Sequence, residues 1–504
     1  MVGRAFVPVV RSRPAHREYV VVNGPAHPSK ARREAPEPGP RRHTRVDLLL
    51  THPVGWTILR LAIPNSTVML VQVLIGLLEV YFVARLGLDA LAGVTLVFPL
   101  LALTVAISQG ATGGGIVTSV ARALGRGDAA EANAYPWYAL VLAVPLGLAT
   151  TTFMYVFGPP IYRAMGGHGA ALAISLQYSG VVFGGATLIW TFNLLLAAVR
   201  GTGNLRVPVV VVCSGAAVLV PLSPLLIFGG FGVPALGPIG GGVALLVYYG
   251  GGSLAYAVYL WGHRGVLRPS RTPPRLALAP ALTVLKIGGV SAIIAASTNV
   301  TLTLVTAYVG AHGIAALAGY GSASRLEFLL VPISYGIGGP VGMVVSASLG
   351  AGLIERARQA AWTGSAIGAA VTAAIGLVGA LFAPQWIALF NDDPVAISAG
   401  VQYLHDVGPF FGFFGLGFVL YCVGQATRRL SASLVGALTR ALIAAAGGYL
   451  LLRWHASLML NFFAVSAGMM AFGLIPLWSL IRRVGFERPG EASPTVALLK
   501  SSSQ

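Results

Sequence analysis

Three polar residues spaced seven apart, Asn65, Gln72 and Glu79, stand in a stretch made mostly of Leu, Ile and Val. Seven helical steps of about 100° end only about 20° short of two full turns, so the three side chains form one seam. A charge at the centre of a bilayer costs about 2.5–3.5 kcal/mol on insertion scales, and such a group faces a cavity or a partner rather than lipid. A carboxyl drawn out of water also holds a proton more readily than one in water. Glu79 is thereby a candidate for ion coupling, taking a proton or a sodium ion, and for holding a cationic substrate; fixing helix packing is its plainer role. A second acid, Glu327, shares a helical face with Tyr320, Ser324 and Ser334. Arg325, two residues away, points elsewhere. Glu327 reads equally as a substrate-binding group and as part of a buried charge network with Arg325 that joins helices.

Other polar groups are sparser. His405 and Asp406 precede Pro409; adjacent helical residues diverge by about 100°, which suits a solvated helix end better than a proton relay, and Asp406 stays on the candidate list. Asn193, with Tyr178 and Trp190, and Asn299, with Thr298, Thr301 and Thr303, add uncharged polar groups and rings whose faces suit organic cations. His, Cys, Asp and Glu are not grouped at metal-ligand or nucleophile–base spacing. The expectation is no catalytic residue, no metal beyond a sodium ion at Glu79, and no cofactor, with H+ or Na+ as the coupling ion. Cys213 and Cys422 lie in apolar runs and read as small buried residues.

The elements that must position these groups are membrane spans. Charged residues make up 10% of the 504, against about 25% in soluble domains, and hydrophobic residues 56%. Mean hydropathy is +0.79. No Asp, Glu, Lys or Arg occurs from Ala164 to Val199, from Val207 to Gly262 or from Trp454 to Ile481, and about 20 apolar residues cross a bilayer. Charges and Gly/Pro clusters divide the chain into twelve predicted helices, near 60–85, 94–121, 135–161, 170–199, 207–229, 240–262, 282–309, 316–348, 359–383, 396–424, 431–452 and 459–481. With the N-terminus inside, 28 of the 33 Lys and Arg fall in cytoplasmic segments, Arg200 among them, and three fall outside, so both termini are expected in the cytoplasm. The +18 net charge is therefore a loop-holding charge, and no nucleic-acid partner is expected. The Arg- and Pro-rich first residues lack a signal-peptide core and read as a disordered tail, or as a start codon placed too early.

An internal repeat divides the spans. Ala90-Leu-Ala-Gly93 and Leu124-Gly-Arg-Gly127 recur as Ala316-Leu-Ala-Gly319 and Leu349-Gly-Ala-Gly352, offset by 226 and 225 residues. Six spans per copy give parallel repeats with a substrate cavity at their interface. Glu79-Val-Tyr-Phe-Val-Ala-Arg-Leu-Gly87 with Asp89-Ala-Leu-Ala-Gly93, Ala123-Leu-Gly-Arg-Gly-Asp128, Arg200-Gly-Thr-Gly-Asn204, Ala323-Ser-Arg-Leu-Glu327 and Ser348-Leu-Gly-Ala-Gly352 together resemble segments of the multidrug and toxic compound extrusion (MATE) family, over about residues 60 to 482. The resemblance implies an all-α membrane protein of twelve helices in a V-shaped pair of six-helix bundles, which expels organic, often cationic, compounds in exchange for protons or sodium. Family members commonly carry Asp where this chain has Glu79, and some carry a helix-7 carboxylate that this chain lacks.

The resulting expectation is a cytoplasmic tail 1–56, an N-lobe 57–262, a linker 263–280, a C-lobe 281–483 and a cytoplasmic tail 484–504, with Glu79 in a wet cleft between the lobes. The protein is expected as a monomer in a bacterial inner membrane, working on a small organic, cationic substrate. A flippase for a lipid-linked saccharide is the alternative; a membrane-embedded enzyme or a scaffold lacks the residues it would need.

Overall fold

The computed structural model of the chain describes residues 45–262, 264–454 and 457–486, and these are helices and their connections. The tail before residue 45 and the segment after 486 lie outside the described residues. The first half comprises α1 (Arg45–Thr51), α2 (Val54–Ala84), α3 (Leu88–Val105), α4 (Gly113–Gly125), α5 (Ala129–Ala164), α6 (Gly169–Gly184), α7 (Ala186–Gly201), α8 (Arg206–Phe228) and α9 (Pro238–Trp261). The second comprises α10 (Leu278–Gly310), α11 (Ile314–Phe328), α12 (Leu330–Gly350), α13 (Ile354–Leu381), α14 (Ala383–Ala388), α15 (Pro394–Val407), α16 (Phe411–Thr427), α17 (Ser431–Leu442), α18 (Gly448–Arg453) and α19 (Leu458–Ile481). Among the described residues, eleven helical stretches are long and apolar enough to cross a bilayer, and the bent pair α6–α7 makes a twelfth. This is a multi-pass membrane protein. Leu74, Leu77, Phe157, Val210 and Leu254 stand exposed on its outside, as a hydrocarbon solvent permits.

Three spans are less regular than their apolar runs suggest, and each irregularity has a local cause. The span expected unbroken at 170–199 bends by 47° between α6 and α7, at Gly185, where the Leu246 side chain leaves no room for a Cβ. The span containing Pro409 breaks into α15 and α16 around a short 3-10 turn, Gly408–Phe410, because proline lacks the amide that would continue the ladder. Between α3 and α4 the rod runs through a π-helical stretch, Ala106–Thr112, the wide turn that recurs at functional sites; it carries Ser108 and Gln109. Helices α3, α5, α8 and α12 continue through Pro99, Pro145, Pro221 and Pro340.

One expectation about the flanks changes. Residues 45–51, placed in a disordered tail by composition, form α1, whose Leu49 is buried. Arg356 of α13 donates to the carbonyls of Leu49 (2.9 Å) and His52 (2.7 Å), which satisfies the open C-terminal end of that short helix. The charged segment between the halves is likewise fastened. Trp137 and Trp261 both donate to the Ser270 carbonyl at 3.1 Å, and Tyr138 donates to that of Ala277 at 3.0 Å.

The halves meet along α2, α4, α10, α12 and α16. The repeated Leu-Gly-x-Gly motifs lie at this seam. A Cβ on Gly125 would collide with the carbonyl of Ala347, and one on Gly350 with the carbonyl of Arg122; the 225-residue offset turns the first contact into the second. Asn65 on α2 donates to the carbonyls of Tyr335 and Gly336 at 3.1 Å each. In the reverse sense Gln425 donates to the Gly110 carbonyl at 3.0 Å and Tyr335 to that of Gln109 at 3.2 Å.

Candidate functional site

The seam predicted on α2 exists, and its three members meet different partners. Asn65 is 1% exposed and ties the halves together as above, with its Oδ1 lacking a hydrogen-bond partner. Gln72, half-buried, accepts at 2.9 Å from Gln109 in the π-helical stretch. That wide turn is what brings Gln109 round to α2. Glu79 is 3% exposed; its Oε1 accepts the hydroxyl of Tyr178 on α6 and lies against Gly241 on α9, where a Cβ would come within 3.0 Å. Tyr178 reaches Glu79 because α6 ends at the bend and stays beside α9.

The expected position of Glu79 is corrected by these contacts. Its described partners belong to the first half alone, so the carboxyl sits inside that bundle and not in a cleft between the two. Nearby on α7 and α9, Phe192, Tyr248, Tyr249 and Tyr256 pack ring against ring at 5.2 to 5.4 Å. Asn193 is fully buried and donates to Ser108 at 2.8 Å, leaving its own Oδ1 without a partner. Trp190 turns toward α5, donating to Thr150 at 3.0 Å.

In the second half Glu327 is buried, and its ion pair is with Arg440 of α17 at 3.3 Å, not with Arg325. Residues 325 and 327 diverge on α11, so the arginine next to the acid in sequence is directed away from it. Arg325 is exposed, its guanidinium stacked 4.3 Å from the centre of the Phe390 ring. The other oxygen of Glu327 accepts from Tyr403 at 2.5 Å. Arg440 lies over the Phe414 and Phe472 rings, at 5.2 and 5.9 Å, and Tyr403 packs edge-on to Tyr320 and Phe462 at 5.1 Å. Tyr178 and Tyr403 are 225 residues apart, the offset of the repeat, and each gives its hydroxyl to a buried carboxyl. In the first half no Lys, Arg or His joins that arrangement among the described ion pairs; in the second Arg440 does.

The remaining candidates are not drawn in. Asn299 is exposed and donates to Ala295 on its own helix at 2.9 Å, as Thr301 and Thr303 do to their own turns. His405 turns to the Ala380 carbonyl at 3.1 Å and Asp406 keeps a buried oxygen without a partner, so they form no relay with each other. Arg200, expected in a loop, is 3% exposed in the last turn of α7. It lines a cavity of about 20 Å³ between the halves with Asn65, Thr118, Tyr335, Cys422 and Gln425. Among the described residues no cluster of His, Cys, Asp and Glu could hold a metal ion. Tyr403, Arg440, Gln109 and Gln425 were not singled out from sequence. The repeat offset carries a signal for Tyr403 only.

The MatE family model matches residues 64–225 and again 290–450, one match in each half. A protein named FAD transporter from Shewanella oneidensis is 25% identical over 410 residues, 80% of this chain and 90% of its own length. The probable multidrug resistance protein NorM of Thermotoga maritima is 24% identical over 367 residues, 71% of this chain and 77% of its own. A crystal structure of MATE in the bent conformation superposes with a TM-score of 0.79 at 24% identity, covering 91% of this chain and 99% of that one. An outward-facing multidrug resistance MATE family transporter matches with a TM-score of 0.77, over 88% and 98%.

Proposed function

Because this chain belongs to the MatE family, whose members are transporters and not enzymes, we propose that it is a secondary active antiporter, exporting organic compounds, cationic ones above all, by alternating access in exchange for an incoming proton. The relatives named above are a FAD transporter and a multidrug resistance protein, and movement of an organic compound is what those names have in common. We infer a monomer in a bacterial inner membrane, as its bacterial relatives suggest for the membrane, and the Lys and Arg distribution supports both termini in the cytoplasm. In that orientation the seam that joins the halves is the cytoplasmic gate.

The observation that carries the reading is the buried Glu79 carboxyl, held by the Tyr178 hydroxyl with no cation paired to it among the described residues. An unneutralised acid inside a span is a site for something that comes and goes. Facing out, Glu79 takes a proton and its attraction for a cationic substrate falls. Facing in, it gives the proton up and holds the next cation. Tyr178 orients the carboxyl, and Gln72, Gln109 and Asn193 offer polar contacts along the same bundle. The proton is favoured over sodium, since a hard metal ion wants a shell of several oxygens and the hydrogen bond described at Glu79 comes from one phenol, Tyr178, with that of Tyr249 close by. Glu327 carries its own counter-charge, which suits a tie between helices.

Purified protein in liposomes, given a pH gradient or a sodium gradient separately, would be followed for efflux of a cationic dye. Efflux driven by the pH gradient and lost in Glu79→Gln is the expected result. Dye-driven proton uptake unchanged in Glu79→Gln would remove Glu79 from the mechanism, and flat traces under both gradients would remove the antiporter.

A further inference from the structure

Among the described residues two arginines are buried to 3% exposure, and they are not alike. Arg440 has Glu327 at 3.3 Å. Arg200 has no carboxylate among the described ion pairs: the groups that bear on its charge are the phenols of Tyr335, Tyr256 and Tyr248, the first of which also reaches it as a hydrogen-bond partner. Its Nε and Nη2 are buried without a hydrogen-bond partner, on the wall of the cavity between the halves. Leaving a buried guanidinium without counter-charge is among the costlier arrangements a protein can adopt. The other side-chain O–H and N–H donors on that wall are already engaged. Thr118 gives its hydroxyl to Gly114 at 2.9 Å, Tyr335 to Gln109 at 3.2 Å, and the Gln425 amide nitrogen to Gly110 at 3.0 Å. The free donors facing the cavity are therefore those of Arg200.

We propose that this cavity is an anion site, in which a small monovalent anion sits on the Arg200 guanidinium and is enclosed when the two halves close. Five N–H groups in a planar fork suffice to hold an anion and still serve the partnerless Asn65 Oδ1, directly or through water. The volume, about 20 Å³, exceeds the roughly 10–15 Å³ that one water needs, so the closed site takes a halide-sized occupant. A carboxylate or phosphate on an organic solute has the same chemistry and reaches Arg200 once the seam parts. Because both halves wall the site, an occupant that binds only the closed state favours that state in proportion to its saturation. The inference is independent of which compound is transported.

The full chain, purified in detergent, would be melted in sodium chloride, bromide, acetate or gluconate at one ionic strength, and crystals grown in bromide would be measured at the bromine edge. The expected results are a Tm that rises and saturates with halide but not with gluconate, loss of that rise in Arg200→Gln, its retention in the exposed-cation control Arg206→Gln, and a bromine peak against Arg200. Should Arg200→Gln fail to fold, Arg200→Lys, which keeps the charge without the fork, would need more halide for the same rise. A rise with acetate and not with halide would also uphold an anion site and assign it to the acid group of an organic solute. Equal melting in all four salts, a halide rise untouched by Arg200→Gln and Arg200→Lys, or a cavity holding water only would overturn the proposal.

Discussion

Arg440→Met is expected to be among the most damaging single substitutions in the second half, and pairing it with Glu327→Gln should undo most of the harm. The two side chains are 4% and 6% exposed and 3.3 Å apart. Taking one partner from a buried pair costs about 3–5 kcal/mol, because the other is left charged and unpaired, whereas replacing both with neutral groups is often nearly neutral. In Arg440→Met the Glu327 carboxylate keeps only the Tyr403 hydroxyl. In the double variant a neutral amide keeps that hydrogen bond and Met fills the space over Phe414 and Phe472. The double variant should then lie within about 1 kcal/mol of the parent, about 2–4 kcal/mol better than Arg440→Met alone. Thermal and denaturant unfolding of the four purified proteins measures it. Additive losses, or a single variant no worse than a surface change, would show that the pair is not the buried charge network described. Export by the folded double variant then decides between the two roles read for Glu327: normal efflux leaves it structural, and a stable but inactive protein makes it a transport group.

Gly125→Val and Gly350→Val should each hold the seam open, since the opposing atoms are backbone carbonyls that cannot rotate away; the check is reaction of Met343→Cys, buried on the cavity wall, with an impermeant maleimide, and Met343→Cys left unreactive in both would count against the contact. Asn65→Ala removes two hydrogen bonds across the seam, worth about 1–3 kcal/mol together, and should raise the same labelling roughly five- to hundredfold. Tyr178→Phe leaves packing intact but takes the hydroxyl from Glu79, and proton-driven efflux should fall about tenfold, in line with a hydrogen bond to a charged group; unchanged efflux would make Tyr178 a packing residue.

Much of the architecture was legible because a bilayer restricts the choices so severely: it admits only helices and closed barrels, and unbroken apolar runs of about 20 residues select helices. The seam on α2 was legible for the same reason, as three polar groups on one helix need no knowledge of any other helix. What lay beyond sequence was the partner in each case. Glu327 was read beside Arg325 because they are neighbours in the chain, while its ion pair comes from 113 residues further on, across a packing that no local periodicity encodes. Arg200 reads from sequence as a loop cation, and tertiary packing buries it beside Tyr248 and Tyr256 of α9 and Tyr335 of α12. Tyr178 was noticed as an aromatic, but its bond to Glu79 depends on where the bend at Gly185 leaves α6.

The two glycine contacts at 125 and 350 carry a consequence for how the molecule cycles. Each presses bare backbone against a carbonyl of the opposite half, so at these two points no side chain must change rotamer before the halves release. Pulling it apart uncovers peptide groups that water solvates at once, and bringing it back needs no search for register. Such a fastening works like a pair of smooth faces rather than a buckle, able to part and reseat once per turnover without wear on the fold around it.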